Sequence, residues 1–215
     1  MKRLLPLAWL LLTLAAAPAG AATPDWEVVF RVPLRVHLLR AEAASPTGTR
    51  LTPADVTRVI DGVNTIWDAA GVAFELERVV EERAAGPLAA STSAPDPTQL
   101  QTLVPTASFE PRAFNAYFIG QMQGNGILVA HQGLPAVFVK ESARLRPVPG
   151  PTVETLSRVL AHELGHALGL AHREEVRNLM ASGTTGTSLN AREQQTVRLN
   201  LSTVSWIRRS PAQGR

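Results

Sequence analysis

Ala161-His162-Glu163-Leu164-Gly165-His166-Ala167-Leu168-Gly169-Leu170-Ala171-His172 is the stretch from which the rest of the chain can be read, and it holds three of the five histidines. His162 and His166 are four residues apart, so on a helix their rings leave the same face one turn apart. Two imidazoles so placed can close on one Zn²⁺ at roughly 2.0–2.1 Å each. Glu163 lies between them in sequence, and its carboxylate leans toward the same cleft without entering the metal's coordination shell. Gly169 can end the helix, because glycine takes the left-handed stop conformation without steric cost. His172 can then return as a third ligand, leaving a fourth position open for water, as in a catalytic zinc site.

The full pattern H-E-x-x-H-x-x-G-x-x-H should arise by accident in roughly one chain in ten thousand or fewer, and it is a known metallopeptidase signature. At these residues the chain resembles the metzincin clan of zinc endopeptidases. Asn178-Leu179-Met180 falls eight residues after His172, where the clan carries its methionine turn. The resemblance implies that Met180 forms an apolar floor under the ligands. It further implies an α+β fold: a twisted mixed sheet of about four to five strands packed by two long helices, a zinc cleft, and a small C-terminal subdomain with a final helix. One catalytic Zn²⁺ is the expected cofactor.

Composition narrows the class. The chain has 215 residues, 45% of them hydrophobic, enough for one domain with a substantial core. Its formal charge of +3 falls to about +1 without Lys2 and Arg3. With no run of basic residues interleaved with aromatics, nucleic acid is not an expected partner. The absence of cysteine excludes disulfides, thiolate ligands and a cysteine-switch propeptide. Arginine greatly outnumbers lysine and alanine is abundant, which points to a GC-rich, bacterial genome. Met1-Lys2-Arg3, the apolar run Leu4 to Ala17 and Ala19-Gly20-Ala21 read as a cleaved signal peptide over residues 1–21. The run is short for a membrane anchor, which takes about 20 residues. The expected location is therefore secreted or periplasmic. Residues 22–215 would be a single catalytic domain, with an N-terminal subdomain to about 169 and a C-terminal one from 170. The mature chain would start almost at its first strand, with no prodomain evident.

The remaining elements follow from periodicity. Trp26 to Leu39 reads as a strand, with Val32, Leu34, Val36 and Leu38 inward and Arg31, Arg35 and His37 toward solvent. Pro33 marks it as interrupted or near an edge. Thr52, Pro53 and Asp55 open a helix whose stripe is Val56, Val59, Ile60, Val63, Ile66 and Trp67, stopped at Gly71. Val72 to Val80 is a second strand. Glu81 to Pro111, rich in Ala, Pro, Ser and Thr, reads as a long mobile surface insertion with a short helical piece near Thr98 to Leu103. Phe114 to Ile119, Ile127 to His131 and Ala136 to Lys140 are three further strands. Thr152 is the expected cap of the histidine-bearing helix, whose inward stripe includes Val153, Leu156, Leu160 and Leu164. Asn190 and Glu193 have capping-box spacing ahead of a last helix, and Arg208 to Arg215 reads as a frayed tail.

The resemblance implies that a short strand bordering the cleft pairs antiparallel with an extended peptide or protein substrate through its unpaired N–H and C=O groups. Ile127, Leu128, Val129, Ala130 and His131 are the candidate edge, with His131 expected mainly at the surface. Residues 181–188 would shape the pocket for the side chain following the cut bond. Glu163 would be the general base on a zinc-bound water, making the chain a secreted zinc endopeptidase. Two other readings stay open: a catalytically silent zinc-binding module of the same fold, and a zinc amidase acting on cell-wall peptides. Departures from the clan bear on the subfamily. Ser182 stands where some members place a ligating tyrosine, and Arg173 follows the third histidine where Ser, Asp, Glu or Pro labels subfamilies. His37 and His131 are too few for the second, structural zinc of matrixins. No D-x-D-x-D-G calcium loop is present.

Overall fold

The computed structural model describes residues 28–42, 45–86 and 93–212. The signal-peptide reading and the opening Trp26-Glu27 of the first strand lie outside these residues. Five strands form a continuous sheet in the order β2-β1-β3-β5-β4, where β1 is Val28–Arg40, β2 Val72–Arg83, β3 Phe114–Ile119, β4 Gly126–His131 and β5 Leu134–Lys140. The first four in that order run parallel, and β4 is antiparallel to β5 at the edge. A sixth strand, β6 (Arg208–Pro211), pairs antiparallel with the start of β1. The tail expected to fray is therefore ordered through residue 211, its register fixed by Val28 to Arg31.

Pro33 does not mark an edge, since β1 lies inside the sheet with β2 along one side. On the other side β6 covers residues 28–31 and β3 covers 34–38. Pro33 falls in the gap between them, where a missing N–H leaves no ladder bond broken.

Two helices cover one face. α1 (Pro53–Trp67) opens on the predicted Thr52 cap, which closes a capping box with Asp55, and it buries its whole predicted stripe. It packs on α3 (Thr155–Ala167), where the Ser157 hydroxyl donates to the Val59 carbonyl at 2.9 Å. Val32, Leu34, Val36 and Leu38 point into this layer and are fully buried, with Leu160 and Leu164 of α3. α3 begins later than expected. Glu154 is its N-cap, and the Thr152 hydroxyl accepts only the Glu154 N–H, in the turn ahead of the helix. Val153 therefore precedes the helical face, and it is 81% exposed instead of part of the stripe.

The opposite face is also covered. The insertion is not a loose surface loop where it is described. Its short α2 (Pro97–Leu100), capped by Asp96, and the tight turn Gln101–Leu103 bury Leu100, Leu103 and Val104 against Tyr117, Ile119 and Phe138. His37 lies on this face too, and it departs from the expected solvent exposure. That side chain is 0% exposed, flat against Tyr117 at 4.2 Å between ring centres. Its Nδ1 lies 2.6 Å from a Glu82 carboxylate oxygen and its Nε2 3.1 Å from the Asn115 side-chain oxygen. The last helix, α4 (Ala191–Ser202), opens on the predicted Asn190–Glu193 capping box. No helix among the described residues is long and apolar enough to cross a membrane.

Candidate metal centre

α3 presents His162 and His166 one turn apart, as their spacing requires. The helix then stops in a pair of bonds that defines a left-handed C-cap: Gly169 N–H to His166 O and Leu170 N–H to Gly165 O, both 2.9 Å, with Gly169 at φ +89°. The reversal brings His172 back beneath the helix end. One ligating nitrogen from each of His162, His166 and His172 lies within 4.8 Å of the others, and the Nε2 atoms of His166 and His172 are 3.1 Å apart. Tetrahedral zinc with bonds of about 2.0–2.1 Å holds its ligand atoms roughly 3.3 Å from one another, so the set fits a single ion. No other such cluster of histidine or carboxylate groups occurs among the described residues.

The outward nitrogens are also held by backbone. His162 Nδ1 lies 2.7 Å from the Leu179 carbonyl and His166 Nδ1 2.8 Å from the Leu170 carbonyl. A carbonyl can only accept, so Nδ1 carries the proton and Nε2 keeps its lone pair for a metal. Burial lowers the His162 pKa to about 4 and that of His166 in the same direction. Both rings are thus neutral, the form that ligates, at neutral pH.

Glu163 stands beside this set, 6% exposed. Removal of its carboxylate from water raises its pKa to about 8. A cleft of about 500 Å³ is lined by Gly126, Ile127, Leu128, Glu163, His166 and His172, so the head of β4 forms one wall and the histidines the other. Val129 and Ile127 lean on the far-face core, while His131, at the other end of β4, rests on Phe109 at 5.0 Å. His131 is not among the cleft-lining residues, and instead of standing at the surface it is half-buried, its Nε2 enclosed. Met180 is fully buried beneath α3, where a Cβ on Gly165 would stand 2.5 Å from its sulfur.

Several site residues escaped the sequence reading. Gly126 lies so close to Glu163 that only a residue without a side chain fits. Arg158, one turn before His162 and 2% exposed, donates to the carbonyls of Thr184, Thr185 and Arg146. Arg173, read only as a subfamily anomaly, is paired with the buried Glu193. The position of Arg158 on the ligand face of α3 was a usable signal. The other two depend on contacts between distant segments.

Residues 107–204 match the family described as Matrixin. No curated protein matches the chain. Among solved structures, the archaemetzincin from Methanopyrus kandleri is 17% identical with a TM-score of 0.52, covering 84% of this chain and 99% of that one. A chaperone–substrate complex gives 13% identity and a TM-score of 0.53 over 82% of this chain and 35% of its own. Metalloproteinase-II from Bacteroides fragilis is 14% identical with a TM-score of 0.46, covering 80% and 53% respectively.

Proposed function

We propose that this chain is a metallopeptidase of the metzincin clan, a secreted or periplasmic endopeptidase that cuts extended peptides in the cleft beside the head of β4; the Matrixin match over residues 107–204 and the likeness to the archaemetzincin fold support that reading. The observation that carries the reading is the convergence of three imidazole nitrogens, one from each histidine, beside one buried carboxylate in an open groove. His162, His166 and His172 hold the ion. A bound zinc would supply a Lewis acid and bring a water's pKa from 15.7 to about 7.

The protein's own groups do the rest. The Glu163 carboxylate, shielded from solvent, receives a proton during attack and returns it to the departing amine. Burial favours its protonated form, so the group can hold that proton near neutrality until the amine takes it, and a nearby dication pulls it back toward the carboxylate it needs first. β4 is the terminal strand of the sheet, so the edge facing away from β5 offers N–H and C=O groups to a substrate backbone. Antiparallel pairing there lays the peptide past the histidines. Met180 gives the site an apolar floor, and the two halves meet at Gly169.

Glu163→Ala tests this directly. The variant should bind zinc as the parent does and lose cleavage of a mixed protein substrate read by mass spectrometry. Unchanged cleavage would overturn the mechanism. A parent that binds zinc and cuts no protein would favour the silent module, and cuts confined to cell-wall amides would favour the amidase.

A further inference from the structure

Glu193 lies on α4, outside the histidine stretch, yet it is 1% exposed and takes three hydrogen bonds. Arg173 Nε donates to one carboxylate oxygen at 2.7 Å, while Asn178 Nδ2 and the Asn190 N–H donate to the other at 2.8 and 2.9 Å. Two of these donors act on the metal centre. Arg173 is the neighbour of His172, and its N–H donates to the Met180 carbonyl at 2.9 Å. The Asn178 side-chain oxygen accepts the Met180 N–H at 2.7 Å. One more residue along, the Leu179 carbonyl holds His162.

We infer that Glu193 and Arg173 are positioning residues that lock His172 and the 178–180 turn into one rigid frame and so set the affinity of the site for zinc. The inference rests on His172 being a ligand. A capping box needs Glu193 only to accept its own N-cap N–H, which leaves the bonds to Arg173 and Asn178 unaccounted for. An exposed arginine beside an exposed ligand would gain little from an ordinary surface ion pair. Here its partner is sealed in the interior, so the pair fixes the backbone on which His172 is mounted. Such outer partners of ligands typically carry 10–100-fold of metal affinity.

Arg173 is partly exposed, so Arg173→Met should fold. Its zinc dissociation constant, measured by competition with a chelating indicator, should rise 10–100-fold, and that of Arg173→Lys, whose ammonium keeps a charged donor, should rise less. Glu193→Gln should resemble Arg173→Met, because an amide cannot accept from both sides. The melting temperature of the zinc-free proteins separates a packing role. A dissociation constant for Arg173→Met within about twofold of the parent, with or without a lower melting temperature, overturns the inference. The readout is affinity, so a parent that binds zinc but cleaves nothing defeats only the peptidase reading. A parent that binds no zinc defeats both.

Discussion

The Cα of Gly126 faces the side chain of Glu163 at such short range that a Cβ there would meet both Cγ and Oε1 at 2.7 Å. The first residue of the edge strand thus leaves the space in which the carboxylate lies. Gly126→Ala should push the carboxylate from its place, or open the cleft, without touching a histidine. Activity should fall about 100-fold, the scale of a displacement near 1 Å at a reacting group. Zinc content, measured by atomic absorption, should be unchanged. Full activity in the alanine variant would mean that the carboxylate has room elsewhere.

Zinc-free protein should become less stable as pH rises from 6.5 to 8. Glu163 has a folded pKa of about 8 against an ordinary 4.5, so between those values the folded state binds more protons than the unfolded state. Stability then decreases with pH across that window. His162 works the other way. Its folded pKa of about 4 against 6.5 makes the unfolded state bind more protons, so stability rises with pH between 4 and 6.5. Above 6.5 only the Glu163 effect remains of the two. Glu163→Gln should abolish about 1–2 kcal/mol of the loss between pH 6.5 and 8. Urea unfolding in chelator at both pH values measures it, and equal slopes for parent and variant would refute it.

His37→Ala should cost about 2–4 kcal/mol in urea unfolding and leave zinc affinity unchanged. The ring fills space against Tyr117 and sits between Glu82 and Asn115, so truncation opens a cavity and strips partners from buried polar atoms. The sequence reading missed this for a physical reason. Alternation along β1 groups His37 with Arg31 and Arg35, whereas what encloses the ring comes from other strands: Glu82 on β2, and Asn115 and Tyr117 on β3. No periodicity within β1 can report partners that lie 45 and 78 residues further along the chain. The metal ligands were legible for the converse reason. One helical turn and one glycine reversal, all inside eleven residues, set their mutual geometry. Arg173 and Glu193 show both sides at once: the capping box was readable from spacing, and the pairing across twenty residues was not.

Arg158 should govern the order of the loop after Met180. Its guanidinium is buried, and its acceptors are carbonyls: Thr185 at 2.8 Å, Thr184 at 2.6 Å and Arg146 at 3.1 Å. Burial without a carboxylate partner lowers its pKa, a sign that the cation is held at some cost. What it holds is strained. Thr185 sits at φ +46°, a conformation that a β-branched residue takes only when its surroundings impose it. Arg158→Met keeps most of the apolar stem and removes all three donors. Thr184 and Thr185 would then relax away from α3, with a stability loss of about 2–3 kcal/mol for the abandoned bonds. If this loop forms the wall next to the residue after the cut bond, the variant should also accept larger side chains there. A peptide-library digest compared with the parent reads that shift. An unchanged cut-site profile beside lowered stability would confine Arg158 to packing and place the selectivity wall elsewhere.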